Sequence, residues 1–301
     1  MQVGLIGLGR MGAAMAERLL ERRHEVVVYD RSPAKARQLQ ARGARGANSL
    51  GKLVEQLRRP RVVWLMVPAG EPVGGVLRQL EGYLTRGDIV IDGGNSFYRD
   101  SQARAKDLKE DGIHFLDVGT SGGIRGREQG YCLMVGGERK AFRRTEPLLR
   151  ALAPRGGYAH AGSSGAGHFL KMVHNGIEYG LLEVYGEGFE MLAQSEFNFD
   201  LHRVAALWNR GSVVRSWLLE LAESALAKDR RLRRIRGYVE DSGTGRWTIE
   251  EAIKRGVPAP ALALALFGRF RSRQKESFAA KLIAALRAEF GGHAVKKKDR
   301  K

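Results

Sequence analysis

Cysteine occurs once in the 301 residues, at Cys132. A lone thiol closes no internal disulfide and is too little for a zinc site built on several cysteines, so no metal is expected. With no base or metal partner near it in sequence, Cys132 is expected to be a small buried apolar residue. Long apolar runs are also missing: none reaches the roughly 18 residues of a membrane-spanning helix, and no membrane partner is expected. The start, Met1 to Ile6, looks like a strand and not an export signal, which makes a cytoplasmic protein the expectation. Acidic residues are the scarcer charge, 33 against 51 lysines and arginines, for a formal net charge of +18. That excess alone would suit nucleic acid. However, no zinc finger, RNP-like aromatic motif or helix-turn-helix signature accompanies it, so no specific nucleic-acid partner is expected. The run Arg230 to Arg236 reads as a solvated face, and the tail 296–301 as a basic, disordered end.

What the chain does have begins at its first residues. An apolar strand, 2–6, runs into Gly7, Leu8, Gly9, Arg10, Met11 and Gly12, and a helical pattern follows. This is GxGxxG in the context of strand, tight turn and helix start, the fingerprint of a dinucleotide-binding unit. The first glycine permits the turn, the second lets a pyrophosphate approach, and the third lets helix and strand pack closely. A second strand, 24–29, ends in Asp30, at about the spacing of the acidic residue that holds a ribose 2′-hydroxyl. Asp30 favours NAD; Arg31 and Ser32 leave NADP possible. Asp30 also suits a second use, as a turn or capping residue before Pro33.

Strands then alternate with helices. Val67 and Pro68 end one strand, Gly93, Gly94 and Asn95 follow another, and Ser121, Gly122 and Gly123 follow a third. Ligands bind beyond the carboxyl ends of such strands. Val67, Pro68 and Asn95 are therefore placed at the nicotinamide end, and the serine with its glycines forms a nest for an anion. The pattern predicts an α/β, Rossmann-like N-terminal domain with a doubly wound, mostly parallel sheet over 1–162. A hinge-like glycine-rich linker follows, Gly162 to Gly167, and then only helices. An all-α substrate and oligomerisation domain is expected over 163–295.

One helix carries the strongest chemical signal. Lys171, His174, Asn175, Glu178 and Tyr179 have the i, i+3, i+4, i+7, i+8 spacing of a single helix side, an arc of roughly 140°. An amine, an imidazole, an amide, a carboxyl and a phenol on one side are the material of acid/base chemistry. A solvated helix side rarely uses these residue types together.

The motifs GLIGLGRMG at 4–12, DGGNS at 92–96, SGG at 121–123, HFLKMVHNGIEYG at 168–180 and DSGTGRWT at 241–248 resemble one family across nearly the whole chain. This is the decarboxylating 6-phosphogluconate dehydrogenase family, in its short, NAD-preferring form. The resemblance implies that Lys171 is the base for the C3 hydroxyl and Glu178 the acid that protonates the product carbon. It implies that Asn95, Ser121, Gly122, Gly123, His174, Asn175 and Tyr179 hold 6-phosphogluconate, with Arg269 on its phosphate. Arg287 and His293 match a tail motif that reaches a neighbouring subunit, which implies a homodimer or homotetramer. One departure stands out: Ser242 occupies the place of a lysine in long-form members. A non-decarboxylating 3-hydroxyacid dehydrogenase is the alternative, opposed by Glu178. A basic nucleic-acid-binding or regulatory protein is a remote one, opposed by the polar helix side.

Overall fold

The computed structural model describes residues 1–291 and 294–296. Its first elements are β1 (Gln2–Ile6), α1 (Arg10–Glu21), β2 (Glu25–Tyr29), α2 (Pro33–Gln40), β3 (Arg45–Gly46), α3 (Leu50–Glu55), β4 (Val62–Leu65) and α4 (Glu71–Leu80). β5 (Ile89–Asp92), α5 (Tyr98–Glu110), β6 (His114–Ser121), α6 (Gly126–Gln129), β7 (Cys132–Gly137), α7 (Arg139–Leu152) and β8 (Tyr158–Gly162) complete the sheet region. The helices α8 (Ala166–Ala193), α9 (Leu201–Trp208), α10 (Trp217–Lys228), α11 (Thr244–Arg255), α12 (Pro260–Ser272) and α13 (Phe278–Gly291) follow.

The eight strands form one sheet in the order β3-β2-β1-β4-β5-β6-β7-β8. The α/β architecture expected from the alternating pattern is present, and the order reverses between β1 and β4, where such sheets open a crevice. Side chains alternate across the sheet with the period of two that a strand imposes. Val3, Leu5, Val26, Val28, Trp64 and Ile91 turn to one face, onto Met15 and Leu19 of α1 and Leu148 of α7. Ile6, Val27, Val63, Leu65 and Val90 turn to the other, onto Leu53 of α3 and Val73 and Leu80 of α4. Covered on both faces, β4 and β5 are buried at every position, and so they read as unbroken apolar or near-apolar runs.

Two details depart from the sequence reading. β7 runs antiparallel to β6 and sets Cys132 directly opposite Ser121. Cys132, the first residue of β7, is exposed rather than buried; the strand is covered only from Leu133 onward. Gly167, read as the end of a glycine-rich linker, lies inside the first turn of α8. A Cβ on Gly167 would lie 2.3 Å from the Met134 carbonyl oxygen and 2.4 Å from that of Asp117. Gly167 is small because the start of α8 presses against β6 and β7; Gly165, at φ 92°, faces α5, where a Cβ would lie 2.8 Å from Gln102 Cγ.

Two compact units are distinguished, Met1–Gly176 and one beginning at Ile177, with α8 starting in the first and continuing into the second. The second is helical, with one small core of Ala205, Leu219 and Leu226 under Phe189 and Trp208, and another of Tyr179, Ala265 and Leu266. Among the described residues, no helix is long and apolar enough to cross a membrane.

Candidate functional site

The crevice at the strand-order reversal is a groove of about 760 Å³. Gly7, Gly9, Arg10, Met11, Gly12, Asp30, Arg31, Val67, Pro68 and Asn95 all line it. Leu8 does not: its side chain is buried in the core, and only its amide serves the loop. The three glycines differ in what constrains them. Gly7 has φ 94°, open to glycine at little cost. A Cβ on Gly12 would lie 2.0 Å from the Gly7 carbonyl oxygen, so this position is fixed by helix-to-strand packing. A Cβ on Gly9 would meet nothing within 4 Å. The fold itself leaves that space open at the N-terminus of α1, where backbone amides and the helix dipole favour a pyrophosphate. The residues present fit a dinucleotide.

Asp30 combines both uses foreseen for it. Its Oδ1 accepts from the Ser32 amide at 2.8 Å and its Oδ2 from the Leu8 amide at 2.7 Å, with Lys35 Nζ 3.6 Å away. The first contact turns the chain before α2, and the second ties the carboxylate to the glycine loop. Burial acts to raise its pKa, but the two amides and Lys35 outweigh it and hold the carboxyl below its ordinary value. An anion is thus fixed where Asp30 lines the groove. Asn95, at φ 53°, donates to the Thr120 carbonyl at 3.2 Å and accepts from the Thr120 amide at 2.9 Å. It links the end of β5 to β6 while facing the groove.

A second cluster lies at the end of β6. α8 approaches so closely that a Cβ on Gly119 would be 2.4 Å from Lys171 Cβ and 2.7 Å from the Gly167 carbonyl oxygen. Its first turn is held from outside: buried Asp117 accepts from the Gly165 amide at 2.7 Å and the His168 amide at 2.9 Å. These are donors that a helix start cannot satisfy by itself. Lys171, 6% exposed, is the result of that docking. Its Nζ is 3.3 Å from His174 Nδ1, which is 3.1 Å from Asn175 Oδ1; His174 Nε2 is 3.3 Å from Ser121 Oγ. A ring nitrogen cannot accept from the amine and donate to the amide oxygen at once. The two contacts therefore alternate with the position of the imidazole proton, and Ser121 stands at the far nitrogen. Gly122 and Gly123, at φ 126° and 52°, carry the chain on from Ser121.

In the second unit, Glu178 is half-buried one turn along α8. The Tyr179 hydroxyl is 3.2 Å from Ser242 Oγ, which is 3.0 Å from Thr244 Oγ1. Arg269 lies 3.4 Å from the centroid of the Tyr179 ring and donates to the Glu240 carbonyl at 2.8 Å. Gly245 is small for the same tyrosine, since a Cβ there would lie 2.5 Å from the ring. Arg287 is exposed on α13, and His293 lies outside the described residues.

Sequence reasoning missed Lys35 and Gly75, both in the groove. Gly74 and Gly75 side by side inside α4 were a usable signal. Each costs about 1 kcal/mol in a helix, so a pair points to backbone kept bare for a reason. Lys35 offered none beyond its place in the first turn after Asp30. Among the described residues no group of three or more His, Cys, Asp or Glu is arranged to hold a metal ion.

The family model described as the NAD binding domain of 6-phosphogluconate dehydrogenase matches residues 2–162, and that of the 6-phosphogluconate dehydrogenase C-terminal domain matches residues 167–281. A Bacillus subtilis protein provisionally named a 6-phosphogluconate dehydrogenase is 48% identical over 298 residues, covering 99% of this chain and 100% of that protein. The NAD(+)-dependent, decarboxylating 6-phosphogluconate dehydrogenase of Haloferax volcanii is 44% identical over 301 residues, covering 99% and 100%. Among solved structures, Plasmodium falciparum 6-phosphogluconate dehydrogenase, described in apo form and with NADP+ or 6-phosphogluconate, matches with a TM-score of 0.84 at 29% identity. That match covers 100% of this chain and 67% of the other.

Proposed function

The chain belongs to the 6-phosphogluconate dehydrogenase family, and we propose that it oxidises and decarboxylates 6-phosphogluconate to ribulose 5-phosphate and carbon dioxide with NAD. The observation that carries this reading is the buried Lys171 amine, in hydrogen-bond reach of His174, which in turn reaches Ser121. Bound NAD would supply the acceptor for the C3 hydride. Lys171, neutral at the outset, takes the C3 hydroxyl proton. The ammonium so formed stays beside the new C3 carbonyl oxygen. That carbonyl is β to the C1 carboxylate, so the C1–C2 bond breaks and its electron pair passes toward the oxygen that Lys171 stabilises. Glu178 then delivers a proton to the carbon that lost the carboxylate. Ser121, the amides of Gly122 and Gly123, Asn95, His174, Asn175 and Tyr179 hold the sugar acid. Arg269 takes its phosphate, and with Ser242 standing where long-form members have a lysine, phosphate binding leans on Arg269, Arg287 or another basic residue.

The fixed charge of Asp30 favours NAD over NADP, whose 2′-phosphate it repels. Domains over 1–162 and 163–295, a cytoplasmic setting and a homodimer or homotetramer complete the reading, with Arg287 and His293 reaching a neighbouring subunit. Large exposed apolar side chains in the helical unit, among them Val184, Met191, Leu207 and Phe278, support an assembly. The test is turnover of the purified protein with 6-phosphogluconate and either NAD or NADP, recording reduced nicotinamide and carbon dioxide together. Equal amounts with NAD are expected. Reduced nicotinamide without carbon dioxide would favour a simple 3-hydroxyacid dehydrogenase, and silence with both cofactors would refute the assignment.

A further inference from the structure

Asp92, the last residue of β5, is an anion with no exposed surface. Its Oδ1 accepts from the Gly94 amide at 3.0 Å, and its Oδ2 accepts from Ser96 Oγ at 2.7 Å and from an Arg104 Nη at 3.3 Å. The other Nη of Arg104 donates to the Gly70 carbonyl at 2.9 Å. Arg104 therefore spans two loops that sequence separates: Met66 to Gly70 after β4, and Gly93 to Ser96 after β5. Both wall the groove at its nicotinamide end, and Arg104 is outside the lining itself. The loops already touch, since a Cβ on Gly94 would lie 2.5 Å from the Val67 carbonyl oxygen. The β4–β5 ladder fixes where the two loops begin, with Leu65 opposite Asp92 and the Gly93 amide donating to the Leu65 carbonyl at 2.9 Å; Arg104 ties that point to Gly70, at the far end of the first loop.

The helix that carries Arg104 also reaches the catalytic side. Ser101 Oγ on α5 is 2.8 Å from His168 Nδ1, and the Tyr98 and Phe169 rings meet edge to face at 5.1 Å. His168 and Phe169 are in the turn of α8 just before Lys171. α5 thus holds the nicotinamide loops at one point and the lysine helix at another.

We propose that Arg104 is a positioning residue for hydride transfer: its fork on Asp92 and Gly70 sets the nicotinamide-end loops at a fixed distance from Lys171. This rests on the dehydrogenase reading above. A lysine at this position keeps the charge next to Asp92 but, as a single ammonium, cannot hold both acceptors in the planar geometry of the fork.

The test compares wild type with Arg104→Lys and with the double variant Asp92→Asn/Arg104→Met, which removes the buried charge along with the brace. Thermal midpoint, NAD and NADH affinity by calorimetry, NADH fluorescence lifetime in the binary complex, kcat, and the isotope effect with 3-deuterated substrate are measured. For Arg104→Lys, NAD affinity should stay within about threefold while kcat falls roughly tenfold to a hundredfold. The isotope effect should rise, and the bound NADH lifetime should move toward that of free NADH. The double variant should share these kinetic changes with a thermal midpoint nearer wild type. A wild-type lifetime, kcat and isotope effect in both variants would overturn the proposal. So would a kcat loss that only follows falling NAD affinity and thermal midpoint. Absence of wild-type turnover would refute the dehydrogenase reading instead, and the NADH lifetime would still test the brace.

Discussion

Replacing Gly119 by alanine puts the docking of α8 to a quantitative test. The added carbon would lie 2.4 Å from Lys171 Cβ and 2.7 Å from the Gly167 carbonyl oxygen. Carbon atoms settle at about 3.5 Å or more, so α8 must withdraw by about 1 Å. Rotation of a side chain offers no relief, because one obstacle is a Cβ and the other is backbone. Nor can the helix tilt freely, since Asp117 grips the Gly165 and His168 amides. Overpacking of this kind costs about 1–3 kcal/mol, which leaves a protein of this size folded. A 1 Å misplacement of a catalytic group costs about a hundredfold in rate. Gly119→Ala should therefore fold, with a lowered thermal midpoint, bind NAD with wild-type affinity by calorimetry, and lose about two orders of magnitude in kcat. Gly186→Ala is the control, a position further along α8 where an added Cβ meets nothing within 4 Å. A kcat for Gly119→Ala within twofold of wild type would refute the claim that this contact sets the lysine.

Three further outcomes are expected. Gly9→Ala should leave the thermal midpoint unchanged, because its Cβ enters empty space, yet weaken NAD binding at least about tenfold by filling the approach of the pyrophosphate; calorimetry with NAD reads both the loss and any intact binding that would contradict it. Asp30→Asn should relax discrimination against NADP roughly tenfold as the charge is lost. It should also cost about 1–3 kcal/mol in urea denaturation, since Leu8 and Ser32 donate to different carboxylate oxygens and the Asn NH2 sets a donor against one of them; an unchanged NAD to NADP ratio of kcat/KM would remove Asp30 from that role. Tyr131 is fully buried, its hydroxyl has no hydrogen-bond partner among the described residues, and burial pushes its pKa up to about 12. A raised pKa means stability that is complete below the unfolded value of about 10 and is lost as pH climbs through about 12, on the order of 2–3 kcal/mol. Tyr131→Phe should match wild type near pH 7 and keep its urea midpoint better between pH 10 and 12, and an equal alkaline decline in both proteins would refute it.

The amino-acid sequence by itself determined those features whose cause is local. Gly7, Gly9 and Gly12 lie within one turn of each other and of the strand they follow, so their spacing alone specifies the groove's phosphate end. The period-two and period-3.6 patterns specify the α/β alternation and the helical second half, and put Lys171, His174 and Asn175 on one side of one helix. Tertiary structure decided what depends on partners distant in sequence. Asp117 satisfies the start of α8 across 48 residues, and Arg104 reaches Gly70 across 34, and neither pairing leaves a periodic trace. The antiparallel turn of β7 exposes Cys132 beside Ser121, against the usual burial of a free cysteine. Arg269 is singled out in sequence only through the family resemblance, and its place on the Tyr179 ring comes from the fold. The reason is the same in each case: a side chain's composition states what it can bind, and only packing decides which of those partners comes within reach.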